Sequence, residues 1–166
     1  MYYKIHDFVH DWKSESEATL KIFNNLNDES LNKKFSENLR TPGRLAWHIT
    51  GSIPEMMNRT GLHIEGPGEN SQIPPHLFDI CEEYKKSSES LIDSISKNWT
   101  DADLTEKVNM YGEQWEKGTI LSVLIIHQIH HRAQLTVLMR MAGLKVPGIY
   151  GPAREEWAQM GMKAEE

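Results

Sequence analysis

The chain of 166 residues contains almost no cysteine, because Cys81 is its one thiol. An internal disulfide is therefore excluded, and a reducing compartment such as the cytoplasm is favoured. Long hydrophobic runs are also missing, since the longest purely apolar run covers residues 123–126. A run of that length is far too short to span a bilayer, so no membrane partner is expected.

Positively charged side chains are fewer than negatively charged ones. Lysine and arginine together number 18 against 24 aspartates and glutamates, which gives a formal net charge of −6. A negative chain without a basic helix is a poor ligand for phosphate backbones, so no nucleic-acid partner is expected. The remaining composition is typical of a globular protein, with 39% hydrophobic residues and five tryptophans. We expect a single domain over residues 1–166, with the acidic pair Glu165 and Glu166 as solvated surface charge.

Apolar residues recur at helical spacing in four long stretches, which cover residues 3–26, 41–61, 75–98 and 119–143. Each stretch predicts an α-helix with a buried face. Thr41 and Pro42 are typical of a helix N-terminus, and Gly61 and Gly143 of a helix C-terminus. Residues 62–75 predict a loop, residues 99–118 a turn-rich connection with a short hairpin, and residues 155–160 a short C-terminal helix. Four helices of this length around one core predict an all-α fold, a four-helix bundle.

Three histidines lie close together in the fourth predicted helix. On a helical projection His127 and His131 differ by roughly 40° and share a narrow sector with apolar residues such as Leu124 and Leu135. His130 lies about 60° from His127 on the other side, where it is also near apolar residues. The spacing slightly favours His131 over His130 as the partner of His127 and leaves the choice open.

Two buried imidazoles one turn apart need partners, because an unpartnered polar group is costly to bury. A divalent metal ion is one solution, and His48, on the core side of the second predicted helix, offers a third imidazole. Three histidines without a fourth protein ligand would leave an open position, as catalytic sites do. The alternative is that the histidines are hydrogen-bonded core residues or part of a pH-sensitive interface. Gln128 stands where HExxH peptidases have their glutamate, which disfavours that class.

The chain resembles the DinB family in three blocks spread along its length. The blocks are residues 44–49 (RLAWHI), 127–135 (HQIHHRAQL) and 142–152 (AGLKVPGIYGP). The resemblance implies an antiparallel bundle with an up-down-down-up arrangement, a long crossover and frequent homodimers. It also implies one divalent metal ion per chain, held by His48, His127 and His131.

Further residues are candidates for orienting the metal ligands or contacting a substrate, namely Arg44, His130, Gln134 and Tyr150. Arg44 lies one turn before His48 and could bind an anion. Gln134 lies near the metal-bearing sector and could orient a ligand, and Tyr150 could cover the open end of the bundle. Ordinary packing or solvent exposure is the competing interpretation of both. Arg132 is expected to point away from the core, and Cys81 to be a buried, inert thiol.

The resemblance extends to relatives that transfer low-molecular-weight thiols. By that similarity a metal ion, Zn²⁺ or Ni²⁺, would bind a small thiol whose thiolate attacks an electrophilic small molecule. The same site could instead activate water for hydrolysis, and nothing in the residues chooses between the two. A third hypothesis is a dimeric, metal-loaded stress protein without turnover. No catalytic residue is assigned, and the expected partners are a small-molecule substrate and a second copy of the chain.

Overall fold

The computed structural model describes residues 1–68 and 70–163, so the predicted surface charges Glu165 and Glu166 lie outside the described residues. The described part is mostly helical, as predicted, with one small two-stranded sheet. Its α-helices and strands are, in chain order, α1 (Ile5–Phe23), α2 (Asp28–Leu31), α3 (Pro42–Met57), α4 (Leu77–Asn98), β1 (Lys107–Met110), β2 (Glu113–Glu116) and α5 (Lys117–Met141). Over these residues no helix combines the length and the apolar character needed to cross a bilayer.

The four long helices α1, α3, α4 and α5 correspond to the four periodic stretches, and they enclose the core. Both α1 and α3 pack against α4 and against α5. Each long helix contributes fully buried side chains, among them Trp12, Ile49, Tyr84 and Leu124. The indole Nε1 of Trp12 donates to Ser88 Oγ at 2.9 Å. This bond joins α1 to α4 and satisfies both polar groups inside the core.

Local sequence explains where α3 begins and ends. The Thr41 side chain accepts a hydrogen bond from the Arg44 N–H at 3.1 Å, and Pro42 occupies the first helical position. A 3-10 turn (Asn58–Thr60) follows the helix. Gly61 then ends the segment with a φ of 87°, in the left-handed region where glycine has no steric penalty. The predicted start and stop signals of this helix are therefore confirmed.

A short helix that the periodicity did not reveal fixes the start of α4. Asn27 caps this helix, α2, through its side chain. The next residue, Asp28, accepts a hydrogen bond from the Leu77 N–H at 2.7 Å and contacts His76 Nδ1 at 2.9 Å. Asp28 thus supplies the N-terminal cap of a different helix. This is why α4 begins at Leu77, two residues after the predicted start.

The hairpin predicted within residues 99–118 is formed by β1 and β2, which pair antiparallel with Met110 opposite Glu113. Tyr111 and Gly112 make the connecting turn, with positive φ values of 56° and 93°. Two successive positive φ angles match the turn type whose twist fits a tight hairpin. The described part is thus mostly helical, as the predicted all-α class requires, and the predicted hairpin adds one small sheet to it.

The hairpin also sets the start of α5. Glu116 still has extended backbone, and the helix begins at Lys117 rather than at the predicted Thr119. Both the backbone and the side chain of Lys117 are held by Glu106: the N–H donates to the Glu106 carbonyl at 2.9 Å, and Nζ lies 2.7 Å from its carboxylate. This tertiary contact, and not a local cap, decides where the helix starts.

The C-terminal segment contains a 3-10 helix, Arg154–Met160, where a short helix was predicted. Glu156 fastens it, because its carboxylate accepts hydrogen bonds from the N–H groups of Gly148 and Ala153, each at 3.0 Å. An ion pair between Arg140 and Glu155 adds a link to α5. The segment therefore packs back on the helices.

We expect Gly118→Ala to destabilise the protein by about 1–3 kcal/mol, although alanine favours helices. A Cβ at this position would lie 2.1 Å from the Tyr2 carbonyl oxygen and 3.2 Å from that of Leu104. Both are backbone atoms, and the Tyr2 N–H also donates to the Gly118 carbonyl at 3.0 Å. The measurement is urea unfolding followed by circular dichroism.

Gly51→Ala is the matched control within α3. A Cβ there would meet only Pro67 Cγ, at 3.8 Å, which is ordinary contact. The helix propensity of alanine should then stabilise the protein by about 0.5–1 kcal/mol. Equal changes in the two variants would contradict the close approach at Gly118.

Candidate metal centre

Three histidines converge between α3 and α5. His48 comes from α3, whereas His127 and His131 lie one turn apart on α5. One ring nitrogen from each can be chosen so that all three lie within 4.8 Å of one another, an arrangement that could hold a metal ion. The Nε2 atoms of His48 and His131 are 3.1 Å apart. The packing of α3 on α5 thus brings together the three residues that the resemblance implied.

His130, the other candidate partner of His127, lies outside this group. Its side chain is exposed, and its ring centroid is 4.9 Å from that of His131. The centroids of His127 and His131 are only 4.4 Å apart. The choice that helical spacing left open therefore falls on His131, because the helical rotation carries His130 toward solvent.

Gln134 orients His131, as the sequence suggested it could. Its Oε1 lies 2.8 Å from His131 Nδ1, so the ring donates its Nδ1 proton to the amide oxygen. That tautomer leaves the Nε2 of His131 unprotonated, with its lone pair on the side facing His48. The amide nitrogen of Gln134 lies 3.1 Å from His130 Nε2. One amide therefore links the two adjacent histidines and fixes the direction of one of them.

The three clustered imidazoles are held neutral. The pKa of His48 is lowered to about 4, first by burial and then by the positive charge of Arg40 and the neighbouring rings. The pKa of His127 is also lowered to about 4, first by burial and then by the other two rings of α5. Burial lowers the pKa of His131, against the opposing effect of its bond to Gln134. Neutral imidazole is the form that binds metal ions.

The donor set fits a divalent ion. The Nδ1 atom of His127 is buried and has no hydrogen-bond partner among residues 1–68 and 70–163. Such a nitrogen is rare in folded proteins unless an ion or a water completes it. Imidazole nitrogens suit zinc and nickel among the common divalent ions. The cluster therefore has the chemistry of a metal site with three protein ligands and room for a further one.

Two cavities reach the cluster from different sides. The first, which we call the Trp47 cavity, has a volume of about 340 Å³ and is lined by Trp47, His48 and His127 among others. The second, the Leu39 cavity, has a volume of about 460 Å³ and is lined by Leu39 and His131 among others. The two share no lining residue. Either is large enough for a small organic molecule to approach the histidines.

Gln128 has a structural role that the sequence reasoning missed. It is fully buried, and its Nε2 donates to the Ile49 carbonyl at 2.9 Å and to Ser52 Oγ at 3.1 Å. Its Oε1 accepts a hydrogen bond from the Tyr84 hydroxyl at 3.2 Å. The residue in the place of a peptidase glutamate thus ties α5 to α3 and α4 and has no free group for proton transfer.

Arg132 was predicted to point away from the core, and that prediction is wrong. Its side chain is 3% exposed and lies 2.6 Å from the Glu15 carboxylate. It also donates to the Glu15 carbonyl at 2.9 Å and to Thr19 Oγ1 at 3.2 Å. The surface that an isolated helix would leave open is covered here by α1 and the C-terminal segment. Arg132 is therefore part of a buried polar network.

Tyr150 belongs to this network rather than to the metal centre. Its hydroxyl accepts a hydrogen bond from Arg132 at 2.5 Å and donates to Glu15 at 2.7 Å. The cavity that it lines with Arg132 shares no residue with the Trp47 or Leu39 cavity. The suggestion that Tyr150 covers the open end of the bundle at the histidines thus has no contact to support it among the described residues.

Arg44 and Cys81 complete the predicted set, and Arg40 adds a residue that was not predicted. Arg44 lines the Trp47 cavity, as its position one turn before His48 suggested. Arg40, which the sequence reasoning missed, lines the Leu39 cavity, and its position four residues before Arg44 was the available signal. Cys81 is buried, and burial raises the pKa of its thiol, as predicted for an inert side chain.

The chain is similar in sequence to the proteins of one known family. The family model described as "DinB family" matches residues 1–165. A protein of Bacillus subtilis, "Uncharacterized protein YrdA", is 42% identical over 164 residues, which covers 99% of this chain and 98% of that protein.

Solved structures agree with the fold. A DinB-like protein from Bacillus cereus superimposes with a TM-score of 0.86 at 40% identity, over 90% of this chain and 100% of that one. A DinB-like protein from Bacillus subtilis superimposes with a TM-score of 0.67 at 17% identity, over 89% of this chain and 99% of that one, and shows likeness of fold alone. The mostly helical architecture with DinB-like neighbours is thus established.

Proposed function

The chain belongs to the DinB family, and from that premise we propose that it is a metal-dependent enzyme whose His48, His127 and His131 hold one divalent ion. Zn²⁺ or Ni²⁺ is the proposed ion, since imidazole nitrogens suit both. The reaction that we propose is transfer of a low-molecular-weight thiol to an electrophilic small molecule.

One observation carries the proposal: three imidazoles from two helices converge, with cavities beside them. Their nitrogens lie within 4.8 Å of one another, and the rings are kept neutral by burial. Three protein ligands without a fourth leave space for an exogenous one, which is typical of catalytic rather than structural metal sites. The cavities give a small thiol and a small electrophile access to that space.

The chain's own residues hold and orient the site. The three histidines would hold a divalent ion, which would supply the Lewis acidity that lowers the pKa of a bound thiol or water. Gln134 holds His131 in the tautomer that points Nε2 at the centre. Gln128 fixes the spacing of α3 and α5 beside the cluster. No group of the chain is assigned as a general base.

The proposed transfer balances without a further reactant. The small thiol releases its proton to solvent, and its sulfur forms a bond to the electrophilic carbon. The leaving group departs with the electron pair of the bond that breaks. The chain's contribution is to bring the two molecules together and to keep the sulfur deprotonated at neutral pH.

We also propose the finer architecture and assembly that the resemblance implies. The long helices would form an antiparallel, up-down-down-up four-helix bundle, which is supported by the packing of α1 and α3 on both α4 and α5. A homodimer is supported by exposed apolar side chains along α5, with Ile126, Val137 and Met141 at 62%, 57% and 50% exposure. A cytoplasmic location is proposed from the near absence of cysteine.

The proposed function is tested with the Co²⁺-loaded protein and a small neutral thiol, 2-mercaptoethanol. We expect a near-ultraviolet sulfur-to-cobalt charge-transfer band that grows to saturation as the thiol is added, because the open position accepts a thiolate. Ethylene glycol, which has a second hydroxyl in place of the thiol, is the control and should leave the spectrum unchanged.

Two other outcomes would overturn thiol transfer. If the thiol gives no band but the visible spectrum titrates with pH near neutrality, the open position holds an ionising water and the hydrolase alternative replaces the proposal. If the spectrum responds to neither, the fourth position is closed and the site is structural, as in a stress protein without turnover.

A further inference from the structure

Two arginines beside the metal centre have no partner within the described ranges 1–68 and 70–163. Arg40 and Arg44 are both exposed, and neither guanidinium takes part in an ion pair or hydrogen bond there. Two other arginines on the same helices are paired: Arg59, just after α3, contacts Glu55, and Arg132 on α5 contacts Glu15. Unpaired guanidiniums at the mouth of a ligand site are available to the ligand.

Each arginine accompanies a different part of the histidine cluster. Arg44 lines the Trp47 cavity together with His48 and His127. Arg40 lines the Leu39 cavity together with His131. Both lie close enough to His48 for their charges to help lower the pKa of its ring, after the larger effect of burial. Each of the two cavities beside the histidine cluster therefore contains one positive charge.

No free negative charge is found to neutralise them among the residues that line the two cavities. The lining acid is Glu55, and its carboxylate already accepts hydrogen bonds from Arg59 Nε at 2.8 Å and from the Tyr111 hydroxyl at 2.7 Å. The chain as a whole carries a formal charge of −6. A divalent ion in the cluster and the two guanidiniums in the adjoining cavities would thus be a locally positive region in a negative protein. An anionic ligand would balance that charge.

We infer that Arg44 in the Trp47 cavity and Arg40 in the Leu39 cavity each bind the carboxylate of a small acidic molecule, whose other end reaches the histidines that line the same cavity. This rests on the proposed function and names its substrate class, a carboxylate-bearing thiol or electrophile. A guanidinium fork matches the two oxygens of a planar carboxylate. A phosphate at the N-terminus of α3 would find fewer hydrogen-bond donors, because Pro42 has no N–H and the Arg44 N–H donates to Thr41.

The experiment compares two thiols that differ in charge alone, 3-mercaptopropionate and its neutral amide, 3-mercaptopropionamide, on the Co²⁺-loaded protein. The acid should bind about tenfold more tightly than the amide, as a charge-assisted contact provides. Because the thiol occupies one of the two cavities, that preference should fall toward one in Arg44→Gln or in Arg40→Gln, and an unchanged preference in both variants would overturn the inference. Arg154→Gln removes an equal charge from an exposed position in the C-terminal 3-10 helix and should keep the preference.

A second measurement separates this inference from the proposed function. Arginine Nε–H signals of the metal-free protein are followed by NMR as succinate is added, and those of Arg40 or Arg44 should shift while that of Arg154 does not. If both thiols bind cobalt equally, the arginine site is wrong although thiol binding stands. If neither thiol binds, thiol transfer fails and the NMR titration decides: shifts support the arginine site, and their absence overturns it.

Discussion

Replacing His131 with alanine is expected to leave the purified protein without its metal ion, whereas His130→Ala retains about one ion per chain. The two residues are neighbours on α5 and have the same side chain, but only His131 lies within the group of converging nitrogens. Loss of one of three ligands leaves two imidazoles, which hold a divalent ion weakly. The measurement is inductively coupled plasma mass spectrometry on protein purified without a histidine tag.

His130→Ala is a demanding control because it tests position rather than residue type. Its ring contacts Gln134, so its loss can loosen the orientation of His131 without removing a ligand. We expect a reduced affinity and an unchanged stoichiometry at saturating metal. Equal metal loss in both variants, or a wild-type protein that takes up no ion after reconstitution, would contradict the three-histidine site.

Replacing Arg132 with methionine should lower the free energy of unfolding by about 3–5 kcal/mol. Methionine keeps much of the side-chain volume but leaves the Glu15 carboxylate without its charged partner, in a site where that side chain is only 15% exposed. The Glu15 carbonyl and the Tyr150 hydroxyl lose a donor as well. Urea unfolding monitored by circular dichroism measures the loss.

Arg140→Met is the matched control, since it makes the same substitution two turns later on the same helix. Arg140 pairs with Glu155, and the two side chains are 44% and 30% exposed. Exposed ion pairs contribute little, so this variant should change the free energy of unfolding by less than about 1 kcal/mol. Similar losses in the two variants would mean that the burial of the Arg132 network does not govern its contribution.

The long helices could be predicted from the sequence because their information is local. Apolar spacing marks α1, α3, α4 and α5, and residues such as Thr41 and Gly61 mark helix ends. The start of α5 is different, since it depends on the contact of Lys117 with Glu106. The helix α2 has four residues, which is too few for a periodic pattern. Contacts between distant segments decide these features, and no local signal carries them.

In the candidate site, too, some features follow from local sequence and others from contacts between helices. Helical spacing was enough to place His127 and His131 in one sector of α5 and His48 on the core side of α3, and the packing of the two helices brings them together. The error at Arg132 has a physical cause: apolar residues lie on all sides of α5, including the exposed Ile126 and Val137, so its sequence does not distinguish a solvent-facing side. The arginine instead meets α1, through Glu15 and Thr19. The orientation of a polar residue on such a helix can be predicted only when the neighbouring helices are known.

For the proposed thiol transfer, the separation of the Trp47 and Leu39 cavities has a consequence for the order in which the two reactants bind. The two cavities share no lining residue, and the first reaches His48 and His127 whereas the second reaches His131. Two molecules can therefore lie beside the cluster at the same time. Neither has to depart before the other arrives. If the proposed transfer is correct, the architecture would favour a ternary complex with direct transfer between co-bound reactants over a shuttle in which the protein carries the transferred group alone.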